Sequence, residues 1–251
     1  MKAVFFRRSG IVAVLTCLLV LFCVVLYPPR DITASAVKGK KPIYSVDTDK
    51  KRVAISFDAA WGADKTASIM DILDTNGAGA TFFLVGFWVE KYPELVREIS
   101  QRGYEVGNHS ANHPRMSKLT KKQKELELRS VNDAIHKLTG KTPTVFRPPF
   151  GDYDDATVEA VNGLGMHCVQ WSIDSLDWKE ISTEEIVSRC TKGVKCGDII
   201  LMHNNSAHIL DALPRILENL KKQGFEVVSV SELIYKEDYY VDNNGIQRKN
   251  Q

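Results

Sequence analysis

Past residue 50 the chain alternates between short apolar runs and longer stretches where apolar residues recur every three or four positions. Val53–Phe57 reads as a buried strand, and Thr66–Asn76 carries helical spacing at Ile69, Ile72 and Leu73. Ala80–Val85 is a second strand, and Pro93–Gln101 a helix with proline in its first turn. Glu105–Gly107 is a short strand. Lys121–Leu138 is a long charged helix with Leu126, Val131, Ile135 and Leu138 turned inward, ended by Gly140. The series continues with strand Val145–Arg147, helix Asp155–Leu164, strand His167–Trp171 and helix Thr183–Arg189. Strand Asp198–Met202, helix Leu210–Gln223 and strand Glu226–Ser229 complete it. Glu237–Gln251 is polar and rich in Asn, and reads as a loose tail. Seven or so strands separated by helices predict an α/β fold with a mainly parallel sheet. A closed or incomplete β/α barrel and a doubly wound open sheet both fit that alternation.

A different pattern occupies the beginning. Lys2, Arg7 and Arg8 precede an uncharged, almost wholly apolar run from Ile11 to Tyr27. At 1.5 Å per residue such a helix reaches about 26 Å, slightly short of a bilayer core. The basic flank predicts insertion with the N-terminus inside, which places the rest of the chain outside the cytoplasm. Retention as a single-pass anchor in the cell membrane is the favoured reading. Secretion after cleavage near Ala34-Ser35-Ala36 is the alternative. The resulting division is a cytoplasmic basic segment (1–10), a transmembrane helix (11–27), a linker (28–50), the α/β domain (51–235) and a polar tail (236–251).

The charge balance acquires meaning only against that division. The net charge of +2 comes from 33 basic and 31 acidic residues, but residues 1–30 hold four basic groups and no acid. The remainder is mildly acidic, which argues against a polyanion binder and hence against nucleic acid as a partner. Of five cysteines, Cys17 and Cys23 lie in the apolar run. Cys190 and Cys196 either form a disulfide or stay reduced with Cys168. Gly77-Ala78-Gly79 sits between a helix and the next strand, the wrong side for cradling phosphate, so no nucleotide is expected.

Candidate chemistry gathers at strand ends. Asp58 follows the first strand of the domain and Asn108-His109 the third. Arg147 ends the fourth, Asp174 and Asp177 follow the next, and His203 ends a later one. In a parallel α/β arrangement these positions converge on the carboxyl edge of the sheet, where such folds place their sites. His109 and His113 are four apart. On a helical turn that spacing puts both imidazoles on one side, suiting a divalent metal such as zinc.

The order of these segments resembles the polysaccharide deacetylase family, also called the NodB homology domain or carbohydrate esterase family four. Ser56-Phe57-Asp58-Ala59-Ala60-Trp61-Gly62 and His109-Ser110-Ala111-Asn112-His113-Pro114 carry the resemblance. So do Arg147-Pro148-Pro149-Phe150-Gly151, Asp174-Ser175-Leu176-Asp177-Trp178 and Leu201-Met202-His203-Asn204. With the N-terminal segment, the chain looks most like the sporulation-associated PdaB-type branch. The resemblance implies a distorted, incomplete β/α barrel and metal-dependent removal of acetyl groups from N-acetylglucosamine- or muramic-type units of cell-wall or spore peptidoglycan. It implies His109 and His113 as metal ligands, Asp58 as general base and His203 as general acid. Arg147 would hold Asp58, and Asp174 or Asp177 would orient His203. Trp61, Pro149, Phe150, Trp178 and Leu201 would line the sugar site.

One position departs from the pattern: the family's second aspartate, a metal ligand, is Ala59 here. Three outcomes are open. Asp58 becomes a ligand, another acid (Asp64 or Asp152) enters the shell, or the site binds metal weakly and the protein organises wall glycan with little or no catalysis.

Overall fold

The computed structural model describes residues 40–250. The apolar segment expected at 11–27 lies outside these residues. Among the described residues no helix is long and apolar enough to cross a membrane.

The core strand is β2 (Arg52–Ala59), and its alternation explains the layering. Val53, Ile55, Phe57 and Ala59 face the helices and pack with Ile69, Leu73, Leu213 and Ile216 in the largest hydrophobic cluster. Ala54 faces the other way, into a second cluster with Phe83, Val145, Val169 and Ile199. Two positions further on is Ser56, whose hydroxyl donates to the Ile200 carbonyl at 2.8 Å, and two beyond that is Asp58. The concave face of the sheet thus changes from apolar to charged along one strand, because successive side chains alternate faces.

Around β2 lie β3 (Thr81–Leu84), β4 (Glu105–Asn108), β5 (Val145–Phe146) and β6 (His167–Cys168) on one side. On the other are β8 (Ile199–His203) and β7 (Ile173–Asp174), giving the order β6-β5-β4-β3-β2-β8-β7 with every pair parallel. β9 (Glu226–Val228) also pairs with β2, near its start. The connecting helices are α1 (Thr66–Asn76), α2 (Gly86–Lys91), α3 (Pro93–Gln101), α4 (Lys121–Thr139), α5 (Asp155–Asn162), α6 (Thr183–Thr191), α7 (Ile209–Lys222) and α8 (Val230–Leu233). α4 starts on a Thr120–Gln123 capping box and ends at Gly140 with φ 71°, a left-handed turn suited to glycine. This is a curled parallel half-barrel, so the barrel alternative holds against the doubly wound sheet.

The ends of the domain differ from expectation. The tail is not loose: β10 (Tyr239–Val241) and β11 (Ile246–Lys249) form an antiparallel hairpin whose second strand pairs with β1 (Ser45–Val46). The stretch expected as linker also enters the fold. Ile43 pairs with Val169, and Ser45 with Asp198, so this segment straps β6 to the start of β8. At that crossing Gly197 has φ 84°, and a Cβ there would collide with the Val46 carbonyl oxygen. Both segments anchor in the second hydrophobic cluster through Ile43, Val46, Tyr239 and Val241, apolar residues too few and too widely spaced to mark strands among their polar neighbours.

Candidate active site

The carboxyl ends of the strands deliver the expected residues to one place. Asp58, 8% exposed, receives a hydrogen bond from Arg147 Nη1 on Oδ1 at 2.9 Å. Arg147 is wholly buried. Its Nη2 donates to the Gln170 carbonyl at 3.0 Å, and its guanidinium lies 4.2 Å over the Phe83 ring and 5.7 Å from that of Trp171. Burial pushes the Asp58 carboxyl up, but the charge of Arg147, with help from His109 and His203, holds it below the usual carboxylate range.

His109 follows β4 and is held through its ring: Nδ1 lies 2.7 Å from the Arg147 carbonyl, a bond that requires the proton on Nδ1. Nε2 then carries a lone pair and faces Asp58 Oδ2 at 3.5 Å. Burial lowers the His109 pKa despite the neighbouring carboxylate, so this contact is not an ion pair. His113 is brought alongside with ring centroids 5.0 Å apart, and burial followed by His109 lowers its pKa to about 4. The expected helical turn is absent. Residues 109–113 form a bend in which Ser110 (φ 68°) and His113 (φ 55°) take left-handed conformations. The buried Asn108 side chain stabilises that bend by accepting from Ser110 N at 2.8 Å and donating to Asn132 and the Leu128 carbonyl.

Opposite stands a second pair. Asp177, 1% exposed, accepts from the His203 backbone N–H at 2.9 Å and contacts its Nδ1 at 2.8 Å, so one carboxylate fixes both main chain and ring. Burial pushes the His203 pKa down, but the Asp177 hydrogen bond and charge outweigh it and hold the imidazole above its ordinary value. Of the two candidate orienting acids, Asp177 makes this contact. Asp174 lines the cleft and accepts from Leu176 N at 2.8 Å.

Between the pairs opens a cleft of about 680 Å³, lined among others by Asp58, His109, His113, Leu201, His203 and Asp174. Trp61, Phe150 and Trp178 stand at its mouth 59%, 58% and 55% exposed, so neither tryptophan belongs to the core. Pro149 is buried and contributes no wall; with Pro148 it shapes the turn that presents Phe150 at φ 59°. Trp171 and Lys65 also line the cleft and were not expected. An aromatic at a strand's carboxyl end was a signal for Trp171. Nothing marked Lys65, whose ammonium donates to the Ser206 carbonyl at 2.7 Å. Cys168, Cys190 and Cys196 are free, so no 190–196 disulfide is present.

The donors fit a divalent cation in kind. His109 Nε2 and Asp58 Oδ2 present acceptor lone pairs to each other in a desolvated place, an arrangement that a positive charge between them would relieve. In number the site falls short. Ala59 is 0% exposed, packs in the helix-facing cluster and offers no ligand atom. Asp152 is occupied by Ser117, accepting from its N–H at 2.8 Å and its hydroxyl at 3.0 Å. Asp64 is exposed and not part of the cleft wall. Among the described residues no group of three or more His, Cys, Asp or Glu side chains is arranged to hold a metal.

Comparison with known proteins agrees with this geometry. The polysaccharide deacetylase family profile matches residues 45–169. A peptidoglycan-N-acetylglucosamine deacetylase from Bacillus cereus is 36% identical over 76% of this chain and 92% of its own length. The uncharacterized protein YlxY of Bacillus subtilis is 33% identical over 82% of this chain, which spans 66% of that protein. A CE4 family pseudoenzyme from Bacillus anthracis superposes with a TM-score of 0.75 at 32% identity, covering 78% of this chain and 69% of its own. A mutant of that pseudoenzyme with restored enzymatic activity superposes equally well. The relatives thus include an amide-hydrolysing peptidoglycan deacetylase and a CE4 pseudoenzyme. The chain belongs to the polysaccharide deacetylase family.

Proposed function

We propose that this protein is an extracytoplasmic, metal-dependent de-N-acetylase acting on the N-acetylglucosamine- or muramic-type glycan of cell-wall peptidoglycan. The anchor at 11–27 would hold it at the cell membrane, and the resemblance to the PdaB-type branch points to spore peptidoglycan. The observation that carries the reading is the pairing of two oriented acid–base groups across one cleft: Arg147–Asp58 on one wall and Asp177–His203 on the other.

His109 and His113 would hold a divalent cation, zinc by its imidazole donors, with no third side-chain ligand supplied at Ala59. Such an ion supplies Lewis acidity toward an acetyl carbonyl and toward water. The rest falls to side chains. Asp58, kept ionised by Arg147, accepts a proton from the attacking water. His203, kept protonated by Asp177, gives a proton to the departing amine. Leu201, Trp178 and Phe150 exclude water and seat the sugar ring.

Ala59 favours a second reading, in which the fold binds wall glycan with little turnover, as a pseudoenzyme would. Acetate release from N-acetylglucosamine oligomers and peptidoglycan, measured with added zinc, separates them. Turnover lost on chelation and in His203→Ala supports catalysis. Glycan binding without acetate release under any divalent metal sinks it.

A further inference from the structure

Of the six large exposed hydrophobic residues among those described, Trp61, Phe150 and Trp178 stand at the mouth of the cleft and a fourth, Phe87, lies beside Trp61. The other two stand elsewhere: Tyr240, and Leu126, which the helical spacing turned inward but which is 69% exposed on α4, where Leu128 is buried instead; single exposed apolar residues are ordinary. Three of the four make a continuous row through His113. Phe150 meets the His113 ring at 4.5 Å, His113 meets Trp61 at 5.1 Å, and Trp61 meets Phe87 at 6.2 Å with planes tilted 45°. Phe150, His113 and Trp61 wall the cleft, whereas Phe87 stands beyond it on α2. The aromatic surface therefore continues past the place where one sugar unit would react.

That extension is held rigid from beneath. The loop bearing Trp61 turns at Gly62, φ 67°, and the Gly62 carbonyl accepts from the buried Trp88 Nε1 at 2.8 Å and from Asn204 Nδ2 at 2.9 Å. Trp88 is the neighbour of Phe87 on α2, so a single short helix supplies one exposed ring and clamps the loop that carries the other. A platform ordered before binding loses little conformational freedom when occupied. The apolar faces of pyranose rings suit flat aromatic side chains with solvent along their edges, and a row continuous with the cleft suits the next units of the same polymer.

We propose that Trp61 and Phe87 form a binding platform for a sugar unit beyond the reacting one, so that the protein prefers glycan chains over short oligomers. Phe87 sets that preference without touching the reacting atoms. The inference rests on the glycan reading above, and it assigns the length dependence to one side of the cleft, the side of His113.

The test is calorimetric binding of N-acetylglucosamine and its hexamer to the full chain, the single sugar being too short to reach the platform. Wild type should bind the hexamer more tightly. Phe87→Ala should weaken hexamer binding about 3- to 10-fold, the worth of one aromatic contact, and leave binding of the single sugar unchanged. Phe87→Tyr should restore the difference, and Leu126→Ala should not alter it. Far-ultraviolet circular dichroism and a thermal melt establish that Phe87→Ala is folded. If that variant is unfolded, Phe87→Tyr and Phe87→Gln give the same comparison, the glutamine losing the length preference and the tyrosine keeping it. Equal loss on the single sugar and the hexamer, or no loss on either, overturns the platform while leaving the glycan reading standing. Absence of binding by wild type at every length overturns both.

Discussion

Replacing Arg147 by methionine should expose how Asp58 is kept ionised. Arg147 is wholly buried and donates to Asp58 Oδ1 at 2.9 Å, and Asp58 is itself only 8% exposed. Methionine keeps much of the volume between Phe83 and Trp171 but leaves a desolvated carboxylate without its partner. Removing one member of a buried pair costs about 3–5 kcal/mol. The pH dependence provides the sharper check. In wild type the Asp58 pKa is lowered on folding, so the pair contributes stability above the unfolded carboxylate value and loses it as pH falls through the folded one. In Arg147→Met, burial acts unopposed by that charge and the folded pKa rises above the unfolded value. The penalty is then full at neutral pH and shrinks as acid protonates Asp58. Urea unfolding at neutral pH and near pH 4 reads both. A loss below about 1 kcal/mol at neutral pH, or one that does not diminish in acid, would refute the reasoning. Asp58→Asn added to Arg147→Met should recover much of the stability, because no buried charge is then left unpaired.

Three further outcomes are expected. Ala59→Asp should tighten zinc binding by about 10–100-fold or more in a calorimetric titration; unchanged affinity would mean that Asp58 already fills the third position. Asp177→Asn removes the hydrogen bond and charge that hold the His203 pKa up, so the ring should titrate at lower pH by nuclear magnetic resonance. The stability from this pair, complete below the ordinary imidazole pKa and lost as pH rises through the folded value, should vanish with it. Gly197→Ala drives a Cβ into the Val46 carbonyl and should cost about 3 kcal/mol or more in thermal unfolding by prying the strap from β8.

Much of this protein was legible in local pattern. Alternation between strand and helix is a property of nearest neighbours along the chain, and it located β2, β3, α1, α3 and α4 nearly to the residue. Because parallel strands share one direction, their carboxyl ends must meet, so Asp58, His109, Arg147 and His203 were predictable as neighbours before any distance was known. The sequence also carried the single departure, Ala59, since chemistry is absent wherever its atoms are absent. Tertiary structure decided the rest. Two left-handed residues, not a helical turn, bring His113 beside His109, and backbone φ in a loop depends on what the loop packs against. Between Asp174 and Asp177, only the turn that follows β7, with Leu176 at φ 54°, selected the partner of His203. The strap at 43–46 was invisible because its partners Val169, Asp198 and Ile246 all lie far along the chain, and the terminal hairpin, though paired locally, gains its place in the fold only from that distant strand. The exposure of Trp61 and Trp178 was likewise undecided, since an aromatic ring suits a core and a sugar site equally until its surroundings are known.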